Sequence, residues 1–215
     1  MTKFLYLFWA QLRARIWILI PAILLGALPL FFFEKGYWVK FFNQFYPYGL
    51  ADVFYWITQL GLGWFFVFFI VYFAYKKNWL LASSLTLAGL LNMVIVQVAK
   101  RHIFLKYYRP KVFFGSEFES FFHLEGFRYH AVKSFPSGHT ATAFALYGLL
   151  AFYFSSKEKS KLAASCWIFA LLIGLSRVIL MQHFYRDIYA GALIGFFVAL
   201  FAWSFAQTYF VRKSA

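Results

Sequence analysis

The chain has few charged residues and almost no cysteine. Only 13% of its 215 residues are charged, whereas 63% are hydrophobic and 26% are aromatic. Such a composition provides too little polar surface for a water-soluble globule, so it predicts an integral membrane protein. The single cysteine, Cys166, excludes an intrachain disulfide, and we expect it to be a small buried residue.

Acidic residues are also scarce. The chain has 7 Asp and Glu against 21 Lys and Arg, a net charge of +14. The basic residues are scattered at the ends of apolar segments, where membrane topology and anionic lipid explain them better than nucleic acid does. We therefore expect bilayer lipids, and no nucleic acid, as partners. The histidines outside the motifs described below do not have the spacing of converging metal ligands, so we predict no metal and no cofactor. These are His102, His123 and His130.

Apolar segments of membrane-spanning length recur along the chain. They predict an all-α fold, a bundle of six transmembrane helices, with residues 1–215 forming a single membrane-embedded domain. No small-residue cleavage site follows the first segment, so we expect it to be retained. The predicted spans are 16–33, 54–75, 79–99, 138–154, 162–181 and 188–210.

Six spans place both termini on one side of the membrane, together with the connections 76–78 and 155–161. The only acid on that side is Glu158, so the positive-inside rule makes this side cytoplasmic. Its basic residues are Lys3, Arg13, Arg15, Lys76, Lys77, Lys157, Lys159, Lys161, Arg212 and Lys213.

Three polar segments meet at the opposite face. The first segment (100–110) follows the third span, the second (135–139) precedes the fourth, and the third (177–187) connects the fifth span to the sixth. In the second, Pro136, Ser137 and Gly138 precede His139 at a helix start, where backbone N–H groups bind anions. Basic side chains from the other segments would add charge-assisted hydrogen bonds, so we predict a phosphate or similar oxyanion as ligand. These basic residues are Lys100, Arg109 and Arg177.

Ionisable residues next to the hydrophobic fifth span require a functional explanation, because they are costly in a membrane. His183 and Asp187 are four residues apart and share one face if this segment is helical. A carboxylate that holds an imidazole in one tautomer suits a catalytic histidine, acting as base or as nucleophile. We expect His183 to be exposed or at the membrane interface.

These residues give the chain a resemblance to the type 2 phosphatidic acid phosphatase family, whose superfamily includes the vanadium haloperoxidases. The family carries Lys-x6-Arg-Pro, Pro-Ser-Gly-His and Ser-Arg-x5-His-x3-Asp on a core of six helices. The second motif is intact here at residues 136–139. The resemblance covers about residues 50–210, and the third motif is intact at Ser176, Arg177, His183 and Asp187.

The first motif departs from this pattern. Arg109-Pro110 is present, but the family spacing would place the lysine at His102, and the nearest lysine upstream is Lys100. Positions 100 and 102 differ by about 200° around a regular helix. We assign the lysine role to Lys100, with Arg101 and Lys106 as alternatives.

The resemblance implies a metal-independent lipid phosphatase. The order of the spans, with the basic connections in the cytoplasm, predicts an active site at the outer face, which is the periplasmic side of a bacterial inner membrane. His183 would form a phosphohistidine, Asp187 would orient its ring, and His139 would protonate the leaving group and then activate water. The substrate-binding residues it implies are Lys100, Arg109, Ser137, Gly138 and Arg177.

Several alternatives remain open at this point. A non-catalytic transporter or lipid-binding protein could use the same basic oxyanion site, and so could a vanadate-dependent oxidase. The candidate substrates are undecaprenyl diphosphate, phosphatidylglycerol phosphate, phosphatidic acid and lipid A phosphate, and neither the substrate nor the oligomeric state follows from the residues. The aromatic connections 34–53 and 111–135 each fit either a plain interfacial loop or a lid that contacts the head group.

Overall fold

The computed structural model describes residues 2–210, and within this range the chain is helical and contains no strand. The predicted all-α class is confirmed. Arg212 and Lys213, two of the predicted cytoplasmic residues, lie outside the described residues. The helices are α1 (Thr2–Arg13), α2 (Ile16–Phe32), α3 (Tyr37–Asn43), α4 (Leu50–Gln59), α5 (Trp64–Tyr75), α6 (Trp79–Val98), α7 (Pro110–Phe114), α8 (Gly138–Ser156), α9 (Ser160–Ile179) and α10 (Tyr185–Phe210). Short 3-10 turns occupy Tyr46–Tyr48 and Gly115–Ser120, and a π-helical turn, Ala99–Ile103, extends α6.

The predicted spans coincide with helices, but not every span is one straight helix. The predicted span 54–75 is broken into α4 and α5, which meet at 47°, and α1 meets α2 at 64°. Among residues 2–210, three helices are long and apolar enough to cross a membrane, or up to five if each bent pair is one span. Helix α8 is not among them because His139, Thr140 and Thr142 lie in its first turns. Six spans are therefore not confirmed.

Helix α8 lies at the centre of the fold and packs against α10, α9 and α6. It presents small side chains towards α10, whose Gly191 and Gly195 face it. A Cβ atom on Gly191 would lie 2.6 Å from the Ser137 carbonyl oxygen, and one on Gly195 would overlap the Ala141 carbonyl. Small residues at these positions let the two backbones touch, as in many membrane helix pairs. Cys166 is buried nearby, as expected.

The connections 34–53 and 111–135 are packed together over the ends of α9 and α10. Phe118 is only 2% exposed and belongs to the same buried cluster as Tyr46 and Phe184. The Asn43 side chain donates to the Phe122 carbonyl (2.7 Å) and accepts from its N–H (3.0 Å). A part of each segment therefore forms a folded layer with its own core. Whether this layer is an interfacial loop or a lid stays a prediction.

The close contact between α8 and α10 predicts that the substitution Gly195→Ala destabilises the protein. In Gly195→Ala the new Cβ would lie within 2.9 Å of the Ala145 nitrogen, so the helices must separate. Overpacking of this kind costs about 1–3 kcal/mol, and we expect a lower melting temperature in detergent. The control is Gly63→Ala, because a Cβ on Gly63 meets nothing within 4 Å. A Gly195→Ala protein as stable as the control would contradict this packing.

Candidate active site

A tight turn after α9 positions the third motif. Helix α9 ends at Ile179, and Met181 adopts a left-handed conformation with φ of 50°. The backbone N–H groups of Gln182 and His183 then both donate to the Arg177 carbonyl, at 2.9 and 3.0 Å. The chain reverses direction here and enters α10 two residues later, so His183 lies just before the helix that carries Asp187.

The structure brings His183 and Asp187 together, with 3.5 Å between Nδ1 of the imidazole and Oδ2 of the carboxylate. His183 is only 1% exposed, so the expectation of an exposed or interfacial side chain is wrong. The aromatic layer formed by the connections covers this end of the bundle, and Phe184 packs within it. The His183 side chain therefore lies in a position largely shielded from water.

Asp187 is completely buried and is held by several donors. Its Oδ2 accepts hydrogen bonds from the Ser134 hydroxyl and from the Phe184 N–H (3.0 Å), while Arg186 Nε lies 3.6 Å from Oδ1. Burial disfavours the ionised carboxylate, whereas these hydrogen bonds and the nearby cation favour it. The ionised form is the one that orients a neighbouring imidazole. Ser134 belongs to none of the motifs, and only the folded chain places it here.

Arg109 contacts the opposite nitrogen of the His183 ring. Its Nη1 lies 3.2 Å from His183 Nε2, and its Nε donates to the Val132 carbonyl at 2.9 Å. A guanidinium can only donate, so Nε2 is the acceptor in this contact and the ring proton lies on Nδ1, facing Asp187. Burial lowers the pKa of Arg109 to about 10, which still leaves it protonated at neutral pH.

The pKa of His183 is held well below its usual value. Burial is the main cause, and the positive charges of Arg109, Lys100 and Arg177 act in the same direction. At neutral pH the imidazole is therefore uncharged, with an unprotonated Nε2. This is the form that a histidine nucleophile requires.

The second motif forms the start of α8. Ser137 is the N-cap, and its Oγ accepts from the N–H (3.4 Å) and the hydroxyl (2.8 Å) of Thr140. The Ser137 N–H donates to the Asp187 carbonyl at 2.9 Å, which ties the start of α8 to that of α10. The predicted cap is therefore present, and the N-terminal end of α8 points towards the third motif.

Lys100 reaches this site because the end of α6 is irregular. The π-helical turn Ala99–Ile103 contains it, and such a turn changes the spacing that a regular helix would impose. Its Nζ lies 3.8 Å from the position that a Cβ on Gly138 would occupy. The alternatives Arg101 and Lys106 are exposed, whereas Lys100 is half-buried, so the geometry favours Lys100.

Arg177 and His139 line a cavity of about 620 Å³. Arg177 is 6% exposed, its Nη1 donates to the Thr58 hydroxyl of α4 at 2.8 Å, and its Nε has no hydrogen-bond partner within residues 2–210. Thr58 and Gln182 both lie on the wall of this cavity. Neither residue belongs to a motif, so the sequence did not predict that they lie at the site. The remaining lining residues are Asp52, Tyr55, Trp56, Gln59, Leu124, Glu125, Gly126, Phe127, Arg128 and His130.

The three predicted motifs thus converge at one end of α8, α9 and α10. The family model described as the PAP2 superfamily matches residues 77–210, which include all three motifs. The chain belongs to the PAP2 superfamily. The resemblance to phosphatidic acid phosphatases of type 2 is confirmed.

Similar PAP2 proteins cover different parts of the chain. Over 153 residues it is 31% identical to phosphatidylglycerophosphatase B of Bacillus subtilis, covering 65% of this chain and 66% of that protein. Over 81 residues it is 44% identical to the probable lipid phosphate phosphatase 4 of Arabidopsis thaliana, covering 33% of this chain. The matched part spans only 26% of that plant protein.

The fold has a solved counterpart among PAP2 membrane proteins. The crystal structure of a transmembrane PAP2-type phosphatidylglycerolphosphate phosphatase from Bacillus subtilis superposes with a TM-score of 0.57, covering 99% of this chain and 98% of that one. The identity is 22%, so this likeness describes the fold alone.

Proposed function

We propose that the protein is a membrane lipid phosphatase that hydrolyses a phosphomonoester or diphosphate on a lipid head group through a phosphohistidine. The observation that carries this proposal is the buried His183, whose Nε2 faces Arg109 and whose Nδ1 faces Asp187. A neutral imidazole with its free nitrogen directed at a cation is arranged to attack a bound phosphate.

In the first step, Nε2 of His183 attacks phosphorus. The negative charge of the bound phosphate favours the protonated form of His139. The N–P bond forms as the bond to the leaving oxygen breaks, and protonated His139 gives its proton to that oxygen. Arg109 turns its donor from Nε2 to a phosphoryl oxygen. Asp187 stabilises the positive charge that develops on the ring, because its Oδ2 lies beside Nδ1.

In the second step, neutral His139 takes a proton from water, and the resulting hydroxide attacks phosphorus. The N–P bond breaks, so His183 returns to its neutral form and inorganic phosphate leaves. Both steps depend on donors that neutralise charge on the phosphoryl oxygens. These donors are Lys100, Arg109, Ser137, the Gly138 N–H and Arg177.

The cavity indicates where the rest of the substrate lies. His139 lines it, and the group that protonates the leaving oxygen must lie on the leaving-group side. The lipid part of the substrate would therefore enter this cavity.

Assaying purified protein for phosphate release from the four candidate lipids identifies the substrate. Phosphatidylglycerol phosphate comes first because of the relative from Bacillus subtilis. No release from any of them would favour a non-catalytic lipid-binding protein or transporter.

The location of the reaction follows from the helix order. We place α8 across the membrane as the fourth of six spans, so that its polar first turns form the site and its apolar remainder crosses the bilayer. All three motifs then lie opposite the chain termini. With the basic connections in the cytoplasm, the site opens to the periplasm of a bacterial inner membrane.

We expect His183→Gln to abolish phosphate release, with a loss of about 10³-fold or more, because glutamine offers no nucleophilic nitrogen. Glutamine limits the cavity that alanine would leave at this buried position. The matched control is His102→Gln, since His102 is exposed and belongs to no motif. Normal turnover by folded His183→Gln protein would exclude His183 as the nucleophile.

Activity should survive EDTA, and orthovanadate should inhibit it by mimicking the transferring phosphoryl group. Among residues 2–210, no group of three His, Cys, Asp or Glu side chains is arranged to hold a metal ion. The measurement is phosphate release after chelation, followed by addition of divalent cations. Loss of activity that only a divalent cation restores would show that the reaction needs metal.

Single cysteines introduced into a Cys166→Ala background test the orientation. Ser116 and Ser156 are both exposed and lie near opposite ends of the bundle in the proposed topology. In intact spheroplasts, Ser116→Cys should react with an impermeant maleimide and Ser156→Cys should not. The reverse labelling pattern would place the site on the cytoplasmic side.

A further inference from the structure

The side chain next to the proposed nucleophile, Gln182, has no role in the motifs and is 1% exposed. We propose that Gln182 is a positioning residue that holds Arg109 against Nε2 of His183 and links this pair to the wall of the cavity. The inference rests on the proposed function and adds to it a residue that controls the geometry of the nucleophile.

Gln182 binds Arg109 through two oxygen atoms. The backbone carbonyl of Gln182 accepts from Arg109 Nη1 at 2.9 Å, and the side-chain Oε1 accepts from the same nitrogen at 3.1 Å. That nitrogen is also the one that lies 3.2 Å from His183 Nε2. Nη1 carries two hydrogens, so the two Gln182 oxygens share one of them and the other is directed at His183.

The other end of the amide is attached to the cavity wall. Gln182 Nε2 donates to the Arg128 carbonyl at 3.0 Å. The same segment binds Arg109 directly, since the Arg109 N–H donates to the Ala131 carbonyl and its Nε to the Val132 carbonyl, both at 2.9 Å. Residues 128–132 thus form a cradle around Arg109, and the Gln182 amide links this cradle to the turn that carries His183.

The hydrogen bonds by which Gln182 holds Arg109 against His183, here called the clamp, affect the protonation of the nucleophile. A cation held close to Nε2 opposes protonation of His183, so a displaced Arg109 should let its pKa rise. The imidazole must be neutral to attack phosphorus, and a higher pKa moves the acidic limb of the kcat/KM profile to higher pH. The charged and titratable groups around His183 are Arg109, Lys100, Arg177, His139 and Asp187.

The test replaces Gln182 with methionine, which has a similar length and shape but cannot form the amide hydrogen bonds. We expect kcat to fall about 10- to 100-fold while KM changes much less, because bound substrate meets a misaligned donor. The acidic limb of kcat/KM should also move to higher pH. Unchanged kcat together with an unchanged limb would overturn the proposal.

Asn43→Leu provides the matched control. Asn43 is also a buried amide that holds the same connection, through the backbone of Phe122, but it makes no hydrogen bond to Arg109. Its loss should lower the melting temperature without moving the acidic limb. A similar shift in both variants would mean that general loosening of the connection, and not the clamp, affects His183.

A double-mutant cycle with Arg109→Lys measures the coupling directly. A lysine has no planar fork to span Gln182 and His183, so Gln182→Met should have little further effect on kcat in this background. Additive effects of the two substitutions would contradict the clamp.

An NMR titration of histidine labelled with ¹³C at Cε1 separates this inference from the proposed function, because it needs no turnover. The His183 resonance is assigned with His183→Gln, and its pKa should be higher in Gln182→Met than in the unmodified protein. An equal pKa in both would overturn the clamp even in an active enzyme. A raised pKa in a protein that releases no phosphate would support the clamp and contradict the phosphatase.

Discussion

Buried charge is the constraint on which the rest of this structure depends. Arg109, Arg177 and Asp187 are each less than a tenth exposed, and a buried ion is tolerated only where partners replace its lost hydration. The partners come from segments outside the motifs: Thr58 for Arg177, Val132 for Arg109 and Ser134 for Asp187. The α4 helix and the long connection before α8 therefore matter to the chemistry although they carry none of its reacting groups.

Close packing of helices brings the charged groups to one place. The glycines of α10 allow its backbone to touch α8, and the hydrogen bond from the Ser137 N–H to the Asp187 carbonyl fixes the two helix starts relative to each other. Because a packed core does not deform continuously, small separations at this contact would be transmitted to the site. The N-terminal end of α8 and the carboxylate of α10 thus share a single rigid support.

The site has two sides with different surroundings. On one side, His183 and Asp187 lie under the aromatic layer, where burial keeps the imidazole neutral. On the other, His139 and Arg177 face the cavity, whose outer wall carries acidic, basic and aromatic side chains. In the proposed reaction, the nucleophile needs shielding from water, whereas the leaving group needs space and a proton donor. The buried His183 and the cavity-lining His139 therefore have the different surroundings that the proposed reaction requires.

The sequence by itself determined the helical class, the approximate positions of the helices and the pairing of His183 with Asp187. The helices depend on local composition and its period, which the sequence shows directly. His183 and Asp187 are only four residues apart, so they lie close together, although His183 is in the turn before α10 and not on the shared helix face that the spacing predicted. Only the tertiary structure decided that the span 54–75 is bent, that a π-helical turn directs Lys100 inward, and that Ser134 and Gln182 support the site. The roles of Ser134 and Gln182 depend on contacts between residues far apart in the chain, for which no local pattern exists. The burial of His183 was missed for the same reason, because the layer that covers it is assembled from two distant connections.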